Sequence, residues 1–233
     1  MNGPDPISPA AQGVSALGDD GLPLRAGLAV GGFTLAALLG PLVGLGPAPI
    51  ALGAAAALGA LSLDAARFGG LGGHLLAEAL PGGRARLRRI ALHEAAHALV
   101  AAENGLTVVQ VLVGSLACLR AGLRCNGSTA FELPAAAKLP AEDLRRWSRM
   151  LQAGMVAEEL HYGSARGGAD DRALLGRLWG LSGYDVATAQ MEQRRARREV
   201  EQWLRREAGR LEAEAERLLA GAPTVLRPAA LAP

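Results

Sequence analysis

Lysine, cysteine and aromatic residues are scarce in this chain, and the first two scarcities each exclude a class of protein. The only lysine is Lys138, which follows an alanine, so the chain has no Gly-Lys-Ser/Thr phosphate loop for ATP. The two cysteines, Cys118 and Cys125, form neither a disulfide framework nor a C-x-x-C pair, and we interpret them as ordinary thiols. A formal net charge of +2 is too small to indicate a nucleic-acid-binding protein.

Charged side chains are absent from residues 26–63. Such a stretch is long enough to cross a bilayer and too long for a typical buried helix. Pro47 and Pro49 divide it into a first half of about 20 residues, which can span a bilayer, and a second half of about 16, which is short for a full span. We predict a membrane anchor over residues 23–68 that forms a helical hairpin. A single span and a buried hairpin in a soluble protein are the alternatives.

Five arginines follow the apolar stretch within a short distance: Arg67, Arg84, Arg86, Arg88 and Arg89. Basic segments next to a span stay in the cytoplasm, so the domain that follows is predicted to face the cytoplasm, or a stroma-like compartment, with one span or two. Residues 69–83 are rich in glycine and are predicted to be a linker. Residues 1–22 are predicted to be a disordered tail, and residues 221–233 a loose one.

The segment from Ile90 to Val100 contains the sequence H-E-A-A-H. Histidines four residues apart lie on one face of a helix, so His93 and His97 can reach a single metal ion. Glu94, beside the first histidine, is placed to take a proton from a metal-activated water, which is the H-E-x-x-H arrangement of zinc peptidases. The alternative is a surface or core helix that carries two histidines by chance.

Apolar periodicity and turn residues divide the rest of the chain into short elements. The helix that carries the histidines is predicted from Arg84 to Glu103, and Leu106 to Val113 is the best strand of the chain. That strand serves either as an edge for an extended substrate or as ordinary core. Residues 115–140 are predicted to be irregular or short β structure, in which residues 127–131 line the cleft. Three helical patterns follow: residues 141–162, a helix through Leu174 and Trp179, and one long amphipathic helix from Val186 to Ala220.

A catalytic zinc ion needs a third protein ligand and an open coordination position. The metzincin continuation is absent, because Val100 and Glu103 occupy the positions of its glycine and its third histidine. A thermolysin-like arrangement would take a glutamate from a later helix, and Glu158 and Glu159 are the candidates there.

Three segments occur in a fixed order: the H-E-A-A-H helix, Ala153-Gly-Met-Val-Ala-Glu-Glu-Leu-His-Tyr-Gly163, and Gly167-Gly-Ala-Asp-Asp171. Together they resemble the peptidase domain of the FtsH family of membrane-anchored zinc proteases. That family shows H-E-A-G-H, then a G-x-x-A-E-E-L-x-x-G helix, then G-A-x-x-D. The resemblance covers roughly residues 85–220, and no AAA ATPase module accompanies it. Ala96 and Gly168 depart from the family pattern.

The resemblance implies that His93, His97 and Asp171 bind zinc and that Glu94 is the general base. Asp170 precedes Asp171 and is the alternative third ligand. The resulting fold prediction is mainly α with a small β element: an N-terminal transmembrane helical hairpin followed by an FtsH-like helical zinc-peptidase domain, residues 84–220.

The implied function is a membrane-anchored metalloendopeptidase that cleaves peptides or unfolded and damaged membrane proteins without an ATPase of its own. Its expected partners are the lipid bilayer and a peptide or protein substrate, together with a full-length FtsH-type protease or further copies of itself. The alternative function is a non-proteolytic membrane scaffold or regulator of a full-length FtsH-type protease complex.

Overall fold

The computed structural model describes residues 21–134, 136 and 138–224 of the chain. The described part is mostly helical with one two-stranded sheet, so the prediction of a mainly α fold with a small β element is confirmed. The predicted tails lie largely outside the described residues. In chain order the elements are α1 (Gly21–Leu39), a 3-10 turn (Gly40–Val43), α2 (Pro47–Phe68), α3 (Leu71–Ala79), α4 (Gly83–Glu103), β1 (Val108–Val113), α5 (Ser115–Arg120), β2 (Gly127–Phe131), α6 (Ala141–Tyr162), α7 (Ala169–Leu181), α8 (Val186–Arg206) and α9 (Ala208–Gly221).

The apolar N-terminal region forms two helices in contact with each other, α1 and α2. Within the described residues, α2 is the one helix long and apolar enough to cross a membrane, and none of its apolar window is buried. The expectation that the first half would be the longer span is wrong. The regular helix of α1 ends at Leu39, just before Pro41, whose ring and missing N–H oppose helix continuation. Helix α2 instead begins at Pro47, which suits a first helical turn, and runs on to Phe68.

The predicted linker, residues 69–83, contains the helix α3. Two glycines with positive φ, Gly69 and Gly70, separate it from α2. The Asp64 carboxylate, in the last turns of α2, accepts hydrogen bonds of 2.9 Å from the backbone N–H groups of Gly72 and Gly73. The start of α3 is therefore capped by the preceding helix, and the connection is an ordered element rather than a loose segment.

Helix α4 lies at the centre of the domain, in contact with α6, α9 and both strands. Its predicted bounds are confirmed to within a residue, and those of α6 are confirmed at both ends. Helix α6 follows Pro140 and ends at Gly163, which has a φ of 75°. The largest fully buried apolar side chains of the core are Trp179, Ile90, Leu144, Met150, Leu151, Leu175, Leu204 and Val200.

The two strands pair antiparallel, with Val113 opposite Gly127 and Val111 opposite Thr129, and both strands contact α4. The predicted strand is confirmed, although it begins two residues later, at Val108. The segment expected to be irregular holds the short helix α5 as well as β2. Helix α5 fills the connection between the strands and contacts both of them.

The single C-terminal helix predicted from Val186 to Ala220 is wrong, because the structure breaks it at Glu207. Helix α8 packs on α6, whereas α9 packs on α4. Leu204 and Leu211, seven residues apart, are both buried, but against different helices. The seven-residue spacing of buried leucines thus continues from α8 into α9, although α8 packs on α6 and α9 packs on α4.

Candidate metal centre

His93 and His97 lie on the inward face of α4, and Asp171 lies in the first turn of α7. The Nε2 atoms of the two histidines are 3.0 Å apart, and Asp171 Oδ2 is 3.4 Å from each of them. A tetrahedral zinc site with bonds of about 2.0 to 2.1 Å has its ligand atoms about 3.3 Å apart. The three atoms therefore fit one metal ion and leave a fourth position for water or substrate.

The other nitrogen of each imidazole is engaged by a hydrogen bond that fixes the ring. His97 Nδ1 donates to the carbonyl oxygen of Met150 over 2.8 Å, and His93 Nδ1 donates to Glu158 Oε1 over 2.7 Å. A neutral imidazole that carries its proton on Nδ1 presents a lone pair on Nε2, which is the form that binds a metal. The two Nε2 atoms are 3.0 Å apart, a distance at which they share a proton when no metal is bound.

Negative charge surrounds the two imidazoles. Burial lowers the pKa of His93, but its hydrogen bonds to Asp171 and Glu158 and the charge of Glu94 outweigh this effect and raise the pKa to about 10. Burial raises the pKa of Asp171, but the charge of His97 and the hydrogen bonds to His93 and His97 hold it well below its usual range. Both shifts arise from the attraction between the histidines and the surrounding carboxylates, and a bound divalent cation would take the place of the histidine proton.

The structure separates the candidate third ligands. Asp171 groups with the two histidines, and its side chain is 13% exposed. Asp170, one residue earlier, is not in this group. Glu158 bonds to the Nδ1 side of His93, away from the ligand nitrogen, and Glu159 pairs with Arg197 at the surface. Among the candidates, only Asp171 lies close enough to both histidine Nε2 atoms to bind the same metal ion.

Glu158 orients His93 and is itself held by three further donors. Arg89 Nε donates to its Oε2, and the backbone N–H groups of Arg166 and Gly167 donate to its two oxygens over 3.0 and 3.2 Å. Burial raises the pKa of Glu158, but the bond to His93 and these donors lower it to about 2. Glu158 is therefore a fixed carboxylate behind the imidazole, of the kind that increases the basicity of a metal ligand.

Replacement of this carboxylate tests its role. We expect Glu158→Gln to weaken zinc binding by about 10- to 100-fold, because the amide cannot accept all four hydrogen bonds and leaves the buried Arg89 without a counter-charge. Glu159→Gln is the matched control, since that side chain is 38% exposed and its surface ion pair contributes little. Competition with a chromophoric chelator measures both affinities. Equal zinc affinities in the two variants would contradict the orienting role.

Glu94 is fully buried beside the three ligands. Its Oε2 accepts a hydrogen bond of 2.7 Å from Thr129 Oγ1, while its Oε1 has no protein partner within the described residues. Burial raises the pKa of Glu94, and the charges of His93 and His97 oppose that rise. One carboxylate oxygen is thus anchored and the other is left available for a proton.

Strand β2 lies directly against the metal centre. Gly127 is required there, because a Cβ at this position would lie 2.6 Å from Glu94 Oε1. The Phe131 ring meets the His97 ring edge-on, with their centroids 6.3 Å apart. Together with the Thr129 hydrogen bond, these contacts place Gly127, Thr129 and Phe131 of β2 against Glu94 and His97.

Two glycines permit close packing around the centre: Gly154 lets α6 approach His93 of α4, and Gly168 lets the start of α7 approach Met155 of α6. A Cβ at Gly154, in α6, would lie 2.3 Å from His93 Nε2. Gly168 precedes α7 with a φ of 87°, and a Cβ there would lie 2.2 Å from Met155 Cγ. The alanine expected at position 168 from the family pattern would therefore be strained in this chain.

Sequence reasoning gave no individual role to three residues of the centre: Arg89, Thr129 and Gly154. Arg89 lies four residues, about one helical turn, before His93, so the spacing places the two side chains on the same face of α4. Gly154 interrupts a run of good helix formers, which marks a close contact. Nothing in the sequence distinguishes Thr129 from other strand threonines.

No protein-family model, curated protein or solved structure matches the chain, so its assignment rests on the residues and geometry of this centre.

Proposed function

We propose that the chain is a membrane-anchored, zinc-dependent metalloendopeptidase similar to the peptidase domain of the FtsH family. The observation that carries the proposal is the triangle of His93, His97 and Asp171 beside the buried carboxylate of Glu94. Two histidines and one carboxylate with an open position are the ligand set of catalytic zinc, whereas structural zinc sites are closed and usually contain cysteine. Both cysteines of the chain lie outside the triangle.

Zinc, when bound, supplies Lewis acidity that polarises the scissile carbonyl and acidifies a water molecule. Glu94 Oε1 accepts the proton from the attacking water and delivers it to the nitrogen of the leaving amine. The Thr129 hydrogen bond keeps the second carboxylate oxygen turned away from this transfer. Glu158 and the Met150 carbonyl hold the two imidazoles in the tautomer that binds a metal.

The proposed substrates are short peptides and unfolded or damaged membrane proteins. The chain has no phosphate loop, so the unfolding of a folded substrate requires a motor from another chain, and a full-length FtsH-type protease is the proposed source. Helix α2 is the proposed anchor, since it is long and apolar enough to cross a bilayer. The arginines that follow it favour a cytoplasmic or stroma-like location for the metal centre.

Metal removal tests this function on the full chain in detergent. We expect about one zinc ion per chain and cleavage of unfolded casein without ATP. A chelator should abolish the cleavage, and added zinc should restore it. An Asp171→Ala chain purified in parallel should lack both zinc and cleavage, which excludes a contaminating protease. Zinc binding without cleavage would favour the scaffold function, and absence of zinc would contradict the metal centre itself.

A further inference from the structure

Helix α3 exposes large apolar side chains on one face. Leu76 is 61% exposed and Leu80 41%, and the two lie four residues apart, on the same side of the helix. Phe68, the last residue of α2, is 50% exposed just before the connection. The opposite face of α3 is buried through Leu71 and Glu78. The helix therefore has apolar side chains on both faces, one packed on the domain and the other exposed.

The inner face of α3 is attached to the domain by a buried polar cluster. Both carboxylate oxygens of Glu78 accept from the backbone N–H of Ser115, at 3.0 and 3.1 Å. The Ser115 hydroxyl lies 2.6 Å from Glu78 Oε1 and 3.0 Å from Asn126 Oδ1. Burial raises the pKa of Glu78, and its bonds to Ser115 oppose that rise. These bonds fix the rotation of α3, so its apolar face cannot turn inward.

The other end of α3 is joined to α2 by a very short connection. Only Gly69 and Gly70 separate the two helices, and the Asp64 carboxylate caps the first N–H groups of α3. A few residues of chain reach at most about 10 Å. Where α2 crosses a bilayer, α3 therefore begins within about 10 Å of the end of the span, in or next to the headgroup layer, which is about 5 to 8 Å deep on each side.

We propose that α3 is an interfacial helix whose exposed face, formed by Leu76 and Leu80, binds the surface of an anionic phospholipid bilayer together with Phe68 at the end of α2. Exposed arginines on both flanks of this face, Arg67 and Arg84, suit anionic headgroups. The proposal rests on the membrane anchor of the proposed function, and it is independent of the peptidase activity. Because Glu78 holds α3 to the start of α5, lipid binding by α3 sets the height and tilt of the metal centre above the bilayer.

Spin labels on the full chain in vesicles of phosphatidylcholine and phosphatidylglycerol test the proposal. The variants are Leu76→Cys on α3, Leu58→Cys within α2, and Leu181→Cys, which is 60% exposed at the end of α7. The native cysteines are 0% and 3% exposed, and the parent chain gives the background of their labelling. The measurement is the ratio of relaxation by oxygen, which partitions into lipid, to relaxation by a water-soluble nickel chelate.

We expect this ratio to be several-fold higher at position 76 than at position 181, and higher again at position 58. Equal, water-like ratios at positions 76 and 181, with a lipid-like ratio at position 58, would overturn the interfacial helix and leave the anchor in place. A water-like ratio at position 58 would overturn the anchor and the interfacial helix together. A label at Leu80→Cys repeats the measurement one turn along the same face, so the result does not depend on one variant folding.

Discussion

A Glu94→Gln chain is expected to keep its zinc and to cleave unfolded casein about 10³-fold more slowly than the parent, within the range of 10² to 10⁴ typical of a lost general base. The amide has the shape of the carboxylate but cannot accept the proton of the attacking water. Its oxygen can still accept the hydrogen bond from Thr129 Oγ1. Because the replacement removes a buried charge without creating a cavity, the fold should be retained.

The measurement is the zinc content and the initial rate of cleavage on the same preparation. Glu103→Gln is the matched control, because it lies at the exposed end of the same helix and should change neither quantity. Cleavage at the parental rate by the Glu94→Gln chain would show that another group takes the proton. Loss of zinc together with cleavage would show instead that Glu94 maintains the metal centre.

The helices whose bounds were predicted most closely are those flanked by residues that begin or terminate helices. Helix α4 ends before Asn104, and helix α6 lies between Pro140 and Gly163, so periodicity and stop residues agree. The break at Glu207 has no such mark, since the apolar spacing continues through it. At this break the chain changes its packing partner from α6 to α4, and a local sequence pattern does not specify such tertiary contacts.

The residues of the metal centre likewise differ in whether local sequence or tertiary packing brings them together. His93, Glu94 and His97 share one helix, so their spacing alone places them together. Asp171 is more than 70 residues away in the chain, and only the resemblance in motif order singled it out. Thr129 reaches Glu94 through the packing of β2 on α4, a contact that no local pattern encodes.

A chain of ordered contacts joins the proposed anchor to the proposed base. Asp64 in α2 caps α3, and Glu78 in α3 binds Ser115, whose hydroxyl also contacts Asn126. Asn126 directly precedes β2, which carries the Thr129 that holds Glu94. The proposed anchor and the candidate metal centre are thus joined by consecutive elements that are in direct contact with one another.

Gly154 is the position at which the smallest substitution should have a large effect on the metal. A Cβ at this position of α6 would lie 2.3 to 2.6 Å from three atoms of the His93 ring, where 3.4 to 4 Å is ordinary contact. The ring must therefore move by about 1 Å, although metal–ligand distances tolerate only about 0.2 Å. We expect Gly154→Ala to weaken zinc binding by more than about 100-fold and to lower the free energy of unfolding by about 1 to 3 kcal/mol.

Gly176→Ala is the matched control, because Gly176 lies within α7, is exposed and has open space around its Cβ position. Alanine there should raise the free energy of unfolding by up to about 1 kcal/mol and leave zinc affinity unchanged, since alanine is the better helix former. Chelator competition and urea unfolding of the zinc-free chains separate the two effects. Because alanine also favours helix at position 154, a Gly154→Ala chain that gained stability and kept its zinc affinity would show that His93 and α6 are not in this close contact. Loss of zinc affinity in Gly154→Ala alone would establish that the absence of a side chain at Gly154 is what lets His93 reach the metal.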